Sequence, residues 1–170
     1  MTDTIALYKL IILYMLNKVD FPLTTAQISE FILDKGYTSY FKLQEVLSEM
    51  QDDGLIKPET TYNRTLYHLT ENGAETIRYF HSRIPGEIRK DIDAFLKEKE
   101  YDLKEEVSVR ADYYLNTRQE YDVVCQIIEE GSCLMELKLT VPTKQEAEAI
   151  TKNWTKRNQE LYTLLMSKLL

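Results

Sequence analysis

Apolar residues along this chain recur first with a helical period and, past the midpoint, with a period of two. Residues Thr4 to Lys18 predict a helix in which Ile5, Leu7, Leu10 and the run Ile11-Ile12-Leu13-Tyr14-Met15-Leu16 wrap nearly the whole cylinder. A helix apolar all round is buried on more than one side, and a second subunit is one way to cover it. Phe21-Pro22 breaks the pattern. Thr24 with Gln27 three residues on forms a capping-box signal for a second helix, with Ile28, Phe31 and Ile32 inward and Gly36 as its stop. A third helix, from about Ser39 to Asp52, turns Leu43, Val46, Leu47 and Met50 inward and ends at Gly54. Leu55 to Thr60 and Thr65 to Leu69 predict two short strands around Tyr62-Asn63-Arg64, with Pro58 confining the first to an edge. Thr70 caps a fourth helix with Ala74, Ile77, Phe80 and Ile84 inside.

Pro85 opens the second half with a helix from Gly86 to Lys99, striped by Ile88, Ile92, Phe95 and Leu96. The acid-rich run Glu98 to Glu106 reads as a solvated connection. Three alternating segments follow, led by Val107 to Leu115, Tyr121 to Ile127, and Cys133 to Val141. They predict a three-stranded antiparallel meander with one buried face. A three-residue loop, Glu129-Glu130-Gly131, would set Ile127 opposite Cys133 and Cys125 opposite Met135, leaving two free, buried thiols. Pro142 ends the sheet. Thr143 to Leu170 predicts one long helix whose stripe, Ala147, Ile150, Trp154, Leu161, Leu165 and Leu169, covers the meander. Tyr162, Leu164, Met166 and Leu170 add apolar surface on its other sides, so the first and last helices together suggest a homodimer interface.

The order helix, helix, helix, hairpin, helix is that of a winged helix-turn-helix domain. The fold class expected is therefore α+β: a winged helix over 1–84, then over 85–170 a connecting helix and a three-stranded antiparallel meander packed against a long C-terminal helix, serving dimerisation or effector binding. Asp53-Gly54-Leu55-Ile56 followed by Tyr67-His68-Leu69-Thr70-Glu71-Asn72-Gly73 resembles the wing of the PadR and MarR types of bacterial repressor, and Leu23 to Ile28 is similar to their second helix. Locally, Tyr67 and Leu69 point inward, Thr70 caps the next helix and Gly73 lets that helix approach closely. The whole chain also resembles a winged-helix family of regulators from Gram-positive bacteria. The resemblance implies a DNA-binding transcriptional regulator acting as a dimer on double-stranded DNA; it supplies no catalytic residues.

Charge complicates that expectation. The chain carries −7 overall, and residues 1–84 hold eight basic residues against eleven acids, a balance of −3. Neutralised phosphates supply most non-specific DNA affinity, so a basic footprint is the usual companion of this fold. Distribution matters as well. With its apolar stripe inward, about 100° of rotation per residue puts Thr38, Phe41, Glu45, Ser48 and Asp52 on the outer face of the third helix. Thr38 and Lys42 are candidates for phosphate, Gln44 and Ser48 for base edges. Lys57 and Arg64 in the wing suit the backbone or minor groove, and Tyr40 and Tyr62 can donate to phosphate. Ser39 and Asn63 complete the candidate DNA-binding set. Glu45, Asp52 and an exposed Phe41 instead suit a protein partner, so a winged-helix protein-interaction module without DNA binding is the alternative.

Other chemistry is sparse. The content is 44% hydrophobic and 29% charged with only 5 Gly and 4 Pro, which excludes disordered and collagen-like chains. His68 and His81 lack neighbouring ligands. Cys125 and Cys133 sit among apolar residues, which dulls thiol reactivity. Trp154 reads as core, with an effector pocket between sheet and last helix as the other reading. No phosphate loop, paired catalytic carboxylates, metal cluster or Ser/His/Asp set is recognisable, so neither an enzyme nor a cofactor is expected. Two Cys cannot build a disulfide framework, and the run Ile5 to Leu16 is too short to span a bilayer and lacks the flanks of a signal peptide. A cytoplasmic protein with no membrane partner is expected.

Overall fold

The structure, a computed structural model, describes residues 2–61 and 64–170. Its class is α+β. Among the described residues it has six α-helices, one 3-10 turn and two three-stranded antiparallel sheets. Of the described residues, 2–60 and 64–104 form one compact unit, and Thr61 with Glu105–Leu170 forms a second.

In the first unit, α1 (Thr2–Lys18) buries six successive residues, Ile11 to Leu16. Elements of the same unit cover them, α3, α4 and β3 among the neighbours. The apolar girth of α1 from Ile11 to Leu16 is thus covered within its own unit, while Ile5, Leu7 and Leu10 are half-buried. Strand β1 (Leu23–Thr24), which the sequence did not announce, pairs with β3 through Leu23↔Tyr67. Helix α2 (Thr25–Asp34) carries the expected capping box: Thr24 Oγ1 accepts from Gln27 N, and Gln27 Oε1 accepts from Thr24 N, each at 3.0 Å. Gly36 adopts φ +69° just past it, the left-handed conformation that lets the last carbonyls be satisfied. Helix α3 (Tyr40–Asp52) buries Leu43, Val46, Leu47 and Met50 as its spacing requires.

Strands β2 (Ile56–Thr60) and β3 (Thr65–Leu69) pair from Ile56↔Leu69 to Thr60↔Thr65, giving the sheet order β1-β3-β2. Helix α4 (Glu71–Phe80) starts at Thr70, whose Oγ1 accepts from Gly73 N at 3.0 Å and lies within donating distance of the Gly54 and Leu55 carbonyls. A Cβ on Gly73 would stand 2.1 Å from Leu55 O, so the close approach expected of this glycine is real. Phe80 departs from expectation. The chain tightens into the 3-10 turn His81–Arg83, which turns Phe80 outward beneath the Arg83 guanidinium, 4.9 Å from the ring centroid, and Ile84 inward.

Helix α5 (Gly86–Ser108) runs straight through the acidic stretch 98–106 that was expected to be a solvated connection. Ile92, Leu96, Leu103 and Val107 follow one another by four, seven and four residues and are all buried, so the apolar stripe outlasts the charges around it. Through Lys104 this helix belongs to the first core, which takes in Leu103, rather than to a domain beginning at Pro85. Gln27 Nε2 donates to Leu103 O at 3.1 Å, and Lys99 pairs with Glu30.

The second unit is a meander, β4 (Val109–Leu115), β5 (Tyr121–Glu129) and β6 (Ser132–Val141), covered on one face by α6 (Lys144–Leu169). Val107, expected as the first strand residue, is the penultimate residue of α5 instead. The β5–β6 register also differs from expectation: Ile127 faces Met135, Cys125 faces Leu137, and Ile128 faces Cys133. The turn uses two residues, Glu130 (φ +48°) and Gly131 (φ +78°), whose left-handed pair matches the twist of the flanking strands. The odd residue is absorbed at a bulge, where β6 carries Leu134 in excess. The odd-numbered apolar face survives beyond it. Cys133 is exposed and only Cys125 is buried, so the pair of buried thiols reduces to one.

Candidate functional site

Among the described residues, the polar side chains named from sequence gather on α3, the turn before it and the hairpin after it. Ser39 is the N-cap of α3; its Oγ accepts from Lys42 N at 3.3 Å, which leaves its hydroxyl hydrogen free to donate. Thr38 is half-buried one residue earlier. Tyr40 (54% exposed) and Phe41 (85%) stand outward, their rings edge to face with centroids 6.3 Å apart. Gln44 is half-buried, whereas Ser48 is exposed on the outer side. Lys42 is half-exposed, and its Nζ lies 3.3 Å from Glu45 Oε2. The i,i+3 spacing is written in the sequence, and the contact means Lys42 does not stand alone on the surface.

Further acids ring the helix end. Lys9 from α1 reaches Glu49 at 3.0 Å and Asp53 at 3.5 Å, and the hydrogen bond to Glu49 holds the ammonium above its ordinary pKa. Asp52 is exposed beside them. Helix α3 passes into β2 through Asp53-Gly54-Leu55, with Gly54 at φ +72°, so the helix surface and the hairpin are coupled by a short connection. Lys57 is exposed on β2 and makes no ion pair among the described residues. Its cross-strand neighbour His68 is bound through Nε2 to Glu59 Oε2 at 2.7 Å. Arg64 is half-buried at the entry to β3. Tyr62 and Asn63 lie outside the described residues.

The second unit holds a polar constellation that the sequence pattern hid. Asp122 on β5 is buried and accepts from Thr140 Oγ1 at 2.8 Å and Asn116 Nδ2 at 3.0 Å, with Lys138 Nζ 3.6 Å away. The Thr140 and Asn116 hydrogen bonds hold its carboxyl below the usual range. Arg110 and Asp112, on the face alternate to the apolar one, are buried too, and Arg110 Nε donates to Val107 O at 2.7 Å. Period-two alternation marks such positions as polar but is silent on burial, so only a tally of fixed hydrogen-bond partners would have found them.

Trp154 is core: it is 3% exposed, and its Nε1 donates to Gln126 O at 3.3 Å. Burial, with the Asp112 charge adding to it, pushes the Cys125 thiol up to about 11, so little reactive thiolate forms near neutral pH. His81 Nδ1 lies 3.0 Å from Arg78 O. Among the described residues no group of three or more His, Cys, Asp or Glu could hold a metal ion, and no helix is long and apolar enough to cross a membrane.

These features describe an α+β protein whose notable groups are surface side chains on a short helix and the hairpin that follows it. Within that class, the chain belongs to the family described as "Domain of unknown function (DUF4364)", whose model matches residues 8–169. No curated protein and no solved structure matches it.

Proposed function

We propose that this protein is a dimeric, DNA-binding transcriptional regulator of the cytoplasm, a binding protein rather than an enzyme. Its first unit acts as a winged helix, with α3 as the reading helix in the major groove and the β2–β3 hairpin as the wing on the backbone. The single observation that carries the reading is the two-sidedness of α3. Leu43, Val46, Leu47 and Met50 are locked into the core, while Tyr40, Phe41, Glu45 and Ser48 face outward directly ahead of a hairpin bearing Lys57. The sheet order β1-β3-β2 supports it, because a short strand before α2 steadies the wing's returning strand.

The chemistry is that of phosphate contact. Ser39 and Tyr40 present hydroxyls at the N-terminus of α3, where the helix dipole favours anions. The Lys42–Glu45 pair is exposed, and such pairs contribute about 0–1 kcal/mol, so a phosphate can replace the carboxylate at little cost. Gln44 and Ser48 carry the hydrogen-bonding groups that read base edges. A two-fold dimer would set two copies of α3 about one helical turn of DNA apart.

A second reading has its own observation. The exposed Tyr40–Phe41 ring pair, one turn ahead of the exposed Glu45, offers an aromatic anchor of the kind protein interfaces use. The test for both is selection of fragments of the source genome bound by the full chain at low and moderate salt. Enrichment of a sequence with two half-sites about 10 base pairs apart supports the regulator. Recovery of no enriched sequence by folded dimer overturns it in favour of the protein partner.

A further inference from the structure

Strand β6 is an edge of the second sheet, ten residues long, and its outer side is open. Ser132, Cys133, Leu134, Glu136, Lys138, Leu139 and Thr140 are exposed, Leu134 at 48% and Leu139 at 46%. Leu139 shares the odd-numbered face with Met135 and Leu137, which pack on the α6 side, but it lies outside that core. The opposite edge strand, β4, differs: Arg110 and Asp112 there are buried. Proteins usually guard a long edge with proline, with charges on the edge such as lysine, with a charge pointing inward or with a bulge in mid-strand. β6 has no proline, and its bulge at Leu134 is confined to the turn end, leaving Met135 to Val141 regular.

The charges on this edge are arranged to fit themselves. Glu136 and Lys138 flank Leu137 symmetrically. Each already has a neighbour within the sheet, Gln126 Nε2 at 3.1 Å from Glu136 and Asp122 at 3.6 Å from Lys138, yet both stay exposed at the open side. We propose that β6 pairs antiparallel with β6 of a second copy of this chain, with Leu137 on the two-fold axis, to form one continuous six-stranded sheet.

In that register Glu136 faces Lys138 of the partner subunit, and Lys138 faces the partner's Glu136. Met135 and Leu139 of opposite copies meet on the face that α6 covers. A shift of the axis to residue 136 sets glutamate against glutamate, and a shift to residue 138 sets lysine against lysine; like charges directly opposed destabilise a strand pair. An axis between two residues places odd-numbered side chains of one copy on the face of the partner's even-numbered ones, which separates the apolar halves. The self-complementary pattern is what an isologous interface requires and what an unrelated strand would match only by chance. This seam assumes nothing about what α3 touches.

The experiment measures the mass of the full chain in solution by light scattering and sedimentation. The native chain is a dimer. Glu136→Lys alone and Lys138→Glu alone each weaken it about tenfold or more, and the double reversal Glu136→Lys with Lys138→Glu restores it. In a Cys125→Ala, Cys133→Ser background, which removes the thiol facing Leu137 within the same sheet, Leu137→Cys gives an intermolecular disulfide on oxidation, because directly opposed strand residues lie within bridging distance; Met135→Cys gives none. A folded monomeric native chain overturns the proposal. So does a dimer indifferent to both single reversals, or one that cross-links equally through position 135. A monomer that still binds a single DNA half-site would refute the seam and the dimer and leave only DNA binding by α3 standing.

Discussion

Among the described residues, the first unit hides a core of 21 apolar residues contributed by helices and sheet alike, whereas the core between the meander and α6 has five. The helices at the two ends of the chain sharpen the contrast. α1 is the more apolar in sequence, and Ile11 to Leu16 are all buried by their own unit. α6 is mostly polar, yet it leaves Leu164 (51% exposed), Met166 (40%) and Leu169 (77%) in the open. Apolar content alone therefore does not announce an interface. What matters is whether the chain supplies enough elements to cover the surface it makes. The first unit surrounds its central helix; the second has one helix for one face of a sheet and leaves an edge strand bare.

Three substitutions probe this difference, from the largest effect down. Phe31 is buried against Tyr37 (centroids 5.9 Å apart) and Phe95 (5.2 Å), so Phe31→Ala should cost about 3–5 kcal/mol in urea unfolding. A loss below about 1 kcal/mol would mean the first core is far looser than its packing implies. Gly73→Ala comes next. With Leu55 O 2.1 Å from the new methyl, α4 has to retreat from the start of the hairpin, at a cost of about 1–3 kcal/mol. Wild-type stability in that variant would sink the close α4–hairpin contact. The smallest effect belongs to Leu169→Ala, expected to stay within about 0.5 kcal/mol because the side chain already faces solvent. A larger loss would show that the end of α6 is packed after all.

Much of the first unit was legible because its signals are local. The Thr24–Gln27 capping box, Gly36 and Gly54 at positive φ, the inward stripe of α3 and the Thr70–Gly73 junction are each fixed by a few adjacent residues. Strand β1 escaped notice because two residues carry no period and the pairing partner, Tyr67, is distant in sequence. The extension of α5 was hidden by charge: Leu103 and Val107 continue the stripe, but Glu98 to Glu106 reads as solvent-loving. In the meander, periodicity identified the apolar face correctly and misplaced the register, since a two-residue turn with a bulge preserves the same parity as a three-residue loop.

For the candidate side chains, position on α3 and the hairpin was legible, and pairing was less so. Ser39, Tyr40 and Ser48 stand on α3 where helical geometry puts them. Lys42 was expected as a phosphate contact and is engaged by Glu45, a pairing that depends on rotamers the sequence leaves open. Lys57 is therefore the cation on which the wing's role turns most directly. For Asp122 the sign of the pKa change has a consequence: its folded pKa lies below that of the unfolded chain, so its contribution to stability is present near neutrality and is lost as pH falls through the folded value. Asp122→Asn should accordingly lower stability at neutral pH and leave the acid limit nearly unchanged, as denaturant titrations at both pH values would show.

The most direct measurement of the central claim is the affinity of the full chain for mixed-sequence duplex DNA across a series of salt concentrations. If α3 and the hairpin hold phosphates, log affinity falls linearly with log salt, and Lys57→Ala makes the slope shallower by about 0.9. A slope indifferent to salt, or one that Lys57→Ala leaves unchanged, would contradict the claim.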